Sequence, residues 1–194
     1  MGQIHPPKPA RLIMGVLTQP DQALLDSALA RVGQLTGPPR WQSGVSLFTH
    51  TTYYNREMGD TIWRLFVAFD PLVPREFLSR IKHWTNGIER EFARGQDRRI
   101  NLDPGYITEA NLVLATTKDH AHRIYLGQGI FAEVTLTVRD KRFSVLPWTY
   151  PDYAEEQTRA FFDAPRRAML DEFRRGEWRM LAWPAESATG PDSG

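Results

Sequence analysis

The sequence predicts an α+β fold: a ferredoxin-like β-α-β-β-α-β unit, extended by a C-terminal antiparallel β-hairpin or meander and a terminal helix. Three observations predict it. Apolar residues recur at helical spacing in two segments, as Leu25, Ala28, Leu29, Val32 and Leu35, and again as Phe77, Ile81, Trp84, Ile88 and Phe92. Short apolar or Thr- and aromatic-rich runs flank both segments, as strands do. The composition is that of a folded domain, with 194 residues, 41% hydrophobic and 24% charged, enough to bury a core without disulfides or metal.

Residues 1–10, with Pro6, Pro7 and Pro9, read as an extended, disordered arm. Residues 12–17 form a short buried strand. Pro20 and Asp21 open a helix that Gly37-Pro38-Pro39 stops. Residues 45–54 and 61–69 read as the next two strands, with a turn at 55–60. Pro74 suits the first turn of the second helix, which runs to Gly95. Residues 98–102 return as a strand, and Asp103-Pro104-Gly105-Tyr106 reads as a tight turn. Further strands are expected at 112–116, 122–126, 130–138 and 142–146. A helix follows at 155–174, which Pro165 should kink or split. The domain is drawn over 11–183, and 184–194 reads as a disordered tail.

The 122–134 segment favours one hairpin register. A three-residue loop, 127–129, sets Leu126 opposite Ile130, Ile124 opposite Ala132 and His122 opposite Val134, on an apolar face continued by Leu136 and Val138. Arg123 then meets Glu133, and Tyr125 meets Phe131, on a polar-aromatic face shared with Thr135. A plain cross-strand ion pair of at most ~1 kcal/mol is the simplest account of Arg123 and Glu133, with a site role as the alternative.

Composition also excludes. The chain has no cysteine, so thiolate catalysis and cysteine-ligated metals are out, and a reducing compartment fits. A net charge of +1 gives no electrostatic reason to expect nucleic acid or an acidic membrane. Apolar runs are far too short to span a bilayer, and the start has no signal-peptide core, so the cytoplasm is the default location.

The densest chemistry lies between Asn101 and Glu133. Lys118, Asp119, His120, His122 and Arg123 crowd together, with Asp103 and Glu133 as plausible neighbours. His120 and His122 on one strand face suit a metal only with a carboxylate beside them, and the register turns His122 to the apolar side, so no metal is assigned. Thr116, Thr117, Lys118 and Arg123 suit a phosphate or carboxylate, against the alternative of a solvated turn. Asp103 is either a turn-former or a functional carboxylate sharing a strand face with Asn101. The aromatic segments 148–153 and 49–54 are read as core anchors, with stacking on a base or sugar as the sharper alternative.

No phosphate-binding glycine loop, dinucleotide fingerprint, zinc-protease helix or serine elbow is present. Thr116-Thr117-Lys118-Asp119 is similar to a guanine-reading Asn-Lys-x-Asp motif, but with one residue too few between Lys and Asp, and a classical GTPase is rejected.

Several strings together resemble the bacterial domain of unknown function 4416 family. They are Asn101-Leu-Asp-Pro-Gly-Tyr106, Leu112-Val-Leu-Ala-Thr-Thr-Lys-Asp119, His122-Arg-Ile-Tyr-Leu126, Ala132-Glu-Val-Thr-Leu136, Pro147-Trp-Thr-Tyr-Pro-Asp-Tyr153 and Glu57-Met-Gly59. The resemblance covers residues 12–174 and implies no activity, cofactor or catalytic residue. Some members carry a GTP-binding label, which the missing motifs leave unsupported here.

The expectation is therefore a site for a small phosphorylated or nucleotide-like ligand, with or without chemistry, at residues 101–133. Asn101, Thr117, Lys118, Arg123 and Tyr125 would bind it, and Asp103, Glu133 and His122 would orient it or move protons. The rivals are an assembly module without chemistry and an RNA reader, which needs aromatic and basic residues over an open sheet face. A ligand protein instead needs its residues around one concave pocket. The cofactor, if the chain uses one, and the oligomeric state stay open.

Overall fold

The chain enters the fold at Ala10, the first residue of a strand buried along its whole length, β1 (Ala10–Thr18). The computed structural model describes residues 2–184, so Met1 of the expected arm and all but Pro184 of the expected tail lie outside the described residues. The Asp21 side chain caps α1 (Gln22–Thr36) by accepting from the Leu24 N–H at 3.0 Å. Gly37, at φ 75°, ends the helix.

Two short strands, β2 (Trp41–Gln42) and β3 (Ser46–Leu47), and a one-turn helix, α2 (Asn55–Met58), precede β4 (Trp63–Val73). The strand expected at 45–54 thus shrinks to Ser46–Leu47; Val45 and Leu47 are exposed, and beyond Phe48, which packs with Tyr54 on Leu17, Met58 and Ile62, the chain turns into α2. Pro74 begins a 3-10 turn (Arg75–Phe77), and α3 (Leu78–Glu91) follows.

Beyond α3 lie β5 (Ile100–Ile107), β6 (Asn111–Thr116), β7 (Ile124–Gly127), β8 (Ile130–Arg139) and β9 (Arg142–Val145). The expected Asp103–Tyr106 turn is strand interior instead. Leu102 directs its backbone away from β1, and so by alternation does Pro104; β6 joins only from Gly105, so the missing proline N–H costs no ladder bond. A four-residue helix, α4 (Pro151–Ala154), leads into α5 (Glu156–Arg175). α5 does not split at Pro165, which is buried; packing offsets the one lost hydrogen bond.

Among the described residues the strands form one nine-stranded sheet in the order β2-β4-β1-β5-β6-β8-β7, with β3 on β4 and β9 on β8, and every ladder is antiparallel. It is larger than the expected unit. α1 and α3 cover one face, burying Leu25, Val32, Ile81 and Ile88 against Met14, Val16, Val67 and Leu102. α5 covers part of the other face, with Phe162 and Met169 against Ile13, Phe66, Ala68, Leu112 and Leu136.

The β7–β8 hairpin keeps two expected pairs, Ile124 with Ala132 and Tyr125 with Phe131. It departs at the tip, where Gly127 pairs with Ile130 and Leu126 is bulged out. Gln128 and Gly129, at φ 54° and 74°, make a two-residue turn whose backbone twist suits a hairpin. A second bulge, at Thr135, moves Leu136 and Val138 to the α5 side, the side of Glu133, while Val134 packs toward α3. One apolar face along β8 was expected; the bulge divides it.

Candidate functional site

The sheet opens between β5 and β6. β6 pairs with β5 only over Gly105–Ile107, whereas β5 continues along β1 back to Ile100. Leu102 has no strand partner on its β6 side, and α3 serves it instead. Lys82 Nζ donates to the Leu102 carbonyl at 3.1 Å, and Glu89 accepts from the Leu102 N–H at 2.7 Å. These polar residues lie beside Ile81 and Ile88 on the buried stripe because buried backbone groups need partners. On the far side of the opening β6 ends at Thr116, whose hydroxyl accepts from the Lys118 N–H at 3.2 Å.

A cavity of about 770 Å³ fills the opening. Its floor is the half of the sheet face that α5 leaves bare, with Leu17, Arg64, Asn101, Asp103, Thr116 and Glu133. Its wall includes Phe48, Tyr53 and Tyr54 from the loop before β4, and Tyr150 and Tyr153 around α4.

A chain of ion pairs crosses the floor. Glu57 holds Arg98 in a two-pronged pair at 2.7 and 3.1 Å; Arg98 donates to Asn101 at 2.9 Å, and Asn101 donates to Asp103 at 2.6 Å. Lys82 closes the chain on the other Asp103 oxygen at 3.1 Å. Burial pushes the Asp103 carboxyl up, but the charges of Lys82 and Arg64, with hydrogen bonds from Lys82 and Asn101, outweigh it and hold the group below its ordinary value. Glu89 goes the other way: burial, helped by the Asp103 charge, outweighs Lys82 and raises its carboxyl. Two carboxyls beside one lysine, pushed apart in this manner, are how a site holds one acid and one base together. Burial likewise raises the Tyr150 hydroxyl, to about 12.

The structure brings Asn101, Asp103, Thr117, Lys118 and Glu133 to the cavity. Arg123 stands behind it. Its guanidinium donates to Glu133 at 2.7 Å, to the Lys118 carbonyl at 2.8 Å and to the Tyr150 hydroxyl at 2.7 Å, fixing three groups of the wall. Both members of the Arg123–Glu133 pair are buried, with side chains 4% and 1% exposed, so this is not the weak solvated pair expected. His122 also reaches Glu133, at 3.2 Å, and lies between His120 and Trp148 in a ring stack. It was expected opposite Val134, but β7 starts only at Ile124, so strand alternation does not extend back to His122. Tyr125 lies on the outer sheet edge, 60% exposed and packed on Phe131, away from the cavity. Among the described residues no three His, Cys, Asp or Glu side chains gather as a metal would need.

Arg64, Lys82, Glu89 and Arg98 were not foreseen, and Tyr153 was marked only as part of the aromatic segment 148–153. Three left a trace: Arg64 interrupts an apolar strand, and Lys82 and Glu89 stand seven apart within the apolar stripe of α3. Another, more open hollow of about 970 Å³ lies along α5 and the β8–β9 turn, lined by Lys8, Lys141, Arg142, Arg167 and Arg174 among others.

Comparison with curated proteins and with solved structures returns no match. The model of one family, domain of unknown function DUF4416, matches residues 8–168, a span that holds α1 through α4, the whole sheet and every cavity residue named above. The chain belongs to the DUF4416 family.

Proposed function

We propose that the cavity binds a small phosphorylated or nucleotide-like molecule, with Asp103 and Glu133 placed to orient it or to move protons on it. One observation carries the reading. Residues from β5, from the turn after β6 and from β8 meet at a single concave site of about 770 Å³, inside the range of small-molecule pockets. The anion preference rests on Lys118. Among the described residues its ammonium joins no carboxylate and sits 4.0 Å over the Tyr53 ring. Tyr53 is 57% exposed at the rim and offers a face for a base or sugar.

The RNA alternative draws little support, because helices or the cavity wall cover both faces of the sheet centre. The ferredoxin-like reading of the first half is supported by β1 lying between β4 and β5 with α1 and α3 on one face. No described helix is long and apolar enough to cross a membrane, and a cytoplasmic location belongs to the same reading. Calorimetric titration of AMP, adenosine and inorganic pyrophosphate tests the site. Binding of AMP or pyrophosphate that Lys118→Ala weakens about tenfold supports it; no binding, or equal binding by the variant, contradicts it.

A further inference from the structure

We infer that the phosphate of this ligand is anchored on the cavity floor by Arg64 and Tyr153, above the bare backbone of Gly15; the inference rests on the ligand reading just given. Arg64 projects from β4 into the half of the face that α5 leaves open, and its side chain is only 5% exposed. Asp152 takes one guanidinium nitrogen, Nη2, at 2.7 Å. The other two nitrogens, Nε and Nη1, are buried without a hydrogen-bond partner among the described residues, and so is the hydroxyl of Tyr153.

Buried donors on a permanent cation are costly to leave unpaired, and native structures rarely do so without a use. The other buried cations of the site differ. Lys82 has Asp103 and the Leu102 carbonyl; Arg123 has Glu133, a carbonyl and a phenol oxygen. Arg64 is also held in direction, with its guanidinium carbon 4.3 Å from the Phe66 ring centre and 5.3 Å from that of Tyr153.

Gly15 makes the arrangement possible. A Cβ at this position of the central strand would stand 2.6 Å from the Tyr153 hydroxyl and 2.9 and 3.0 Å from Arg64 Nη2 and Nη1. The Tyr153 hydroxyl and one unpaired guanidinium nitrogen, Nη1, therefore meet over one point of bare backbone, beside the Nη2 that Asp152 takes. An arginine offers donors only, and the phenol can turn its hydrogen toward the same point, so the group that suits them is an oxyanion. Tyr153 and Arg64 both close over Gly15 in this conformation, so an entering phosphate must move the hydroxyl and the guanidinium outward.

Tyr153→Phe is the test, because it removes a hydroxyl that bonds to nothing else in the protein. Calorimetric titration with inorganic pyrophosphate, AMP and adenosine, with circular dichroism to check folding, is expected to show unchanged melting. The variant should lose about tenfold or more in affinity for pyrophosphate and AMP, and adenosine binding should not change. Arg64→Lys keeps the charge facing Asp152 but loses the planar fork, and should show the same selective loss if Tyr153→Phe proves unstable. Wild-type affinity for pyrophosphate in both variants overturns the anchor and leaves the ligand reading standing. A wild-type protein that binds neither AMP nor pyrophosphate overturns both.

Discussion

The sheet face away from α1 and α3 divides near Gly15. On one side Ile13, Phe66, Ala68, Leu112 and Leu136 lie closely packed under Phe162 and Met169 of α5, with one fully buried charge at the edge, Arg11, paired with Glu172 of α5 at 2.6 Å. On the other side the same strands present Arg64, Asn101, Asp103 and Glu133 to a cavity. The strands are continuous across the boundary, so strand propensity does not separate the halves; what covers them does. α5 supplies an apolar stripe to the first half. The second half adjoins the opening between β5 and β6, where charged groups from α3 must complete the backbone hydrogen bonding. The first half resists change mainly by filled volume, with the Arg11–Glu172 pair at its edge, and the second mainly by paired charge, so mutations should act on the two differently.

The largest effect is expected in the covered half. Phe162→Ala empties a fully buried position and should lower stability by about 3–5 kcal/mol in denaturant titrations. A loss below 1 kcal/mol would mean that α5 does not hold this half closed. In the open half, Asp103→Ala leaves Lys82 buried with only a carbonyl and a distant Glu89, and should cost roughly 3 kcal/mol. Replacing both, as Asp103→Leu with Lys82→Met, removes the unpaired charge but also the donor to the Leu102 carbonyl, and should recover part of that loss. A double variant no more stable than the single would show volume, not charge, to matter there.

Acid separates the halves further. Asp103 is held below its ordinary value, so its contribution is complete above the unfolded value and disappears as pH falls through the lower folded one. Wild-type stability should therefore decline below about pH 4. Asp103→Asn should flatten that decline, and an equally steep acid limb in the variant would exclude Asp103 as its source. The smallest effect on stability is expected at Lys118, exposed at the rim. Lys118→Ala should change folding by no more than about 0.5 kcal/mol while weakening the binding of a phosphorylated ligand.

How much was legible follows the range of the interactions. The apolar stripes of α1 and α3 are local patterns, and both helices stand where the spacing puts them. The pairing of Ile124 with Ala132 and of Tyr125 with Phe131 could be read from alternation, but the bulges at Leu126 and Thr135 could not, because they answer to the turn and to β6. Asp103-Pro104-Gly105 carries every local sign of a turn and is a strand, since its neighbours across the sheet decide the matter. Asn101, Asp103, Thr117, Lys118 and Glu133 were marked as chemistry and do line one cavity. Arg64, Lys82 and Tyr153 come from distant segments, and the opening that gathers them is a property of the whole sheet. Gly15, in the middle of a buried strand, was a further local sign of it.

The most direct test of the claim that the open half is a ligand site is a crystal structure of the protein grown with AMP. Phosphate density is expected in the cavity between β5 and the Thr117–Lys118 turn, in contact with residues of that floor. Density confined to the basic hollow beside Lys8, Arg167 and Arg174, with the cavity unchanged, would contradict it.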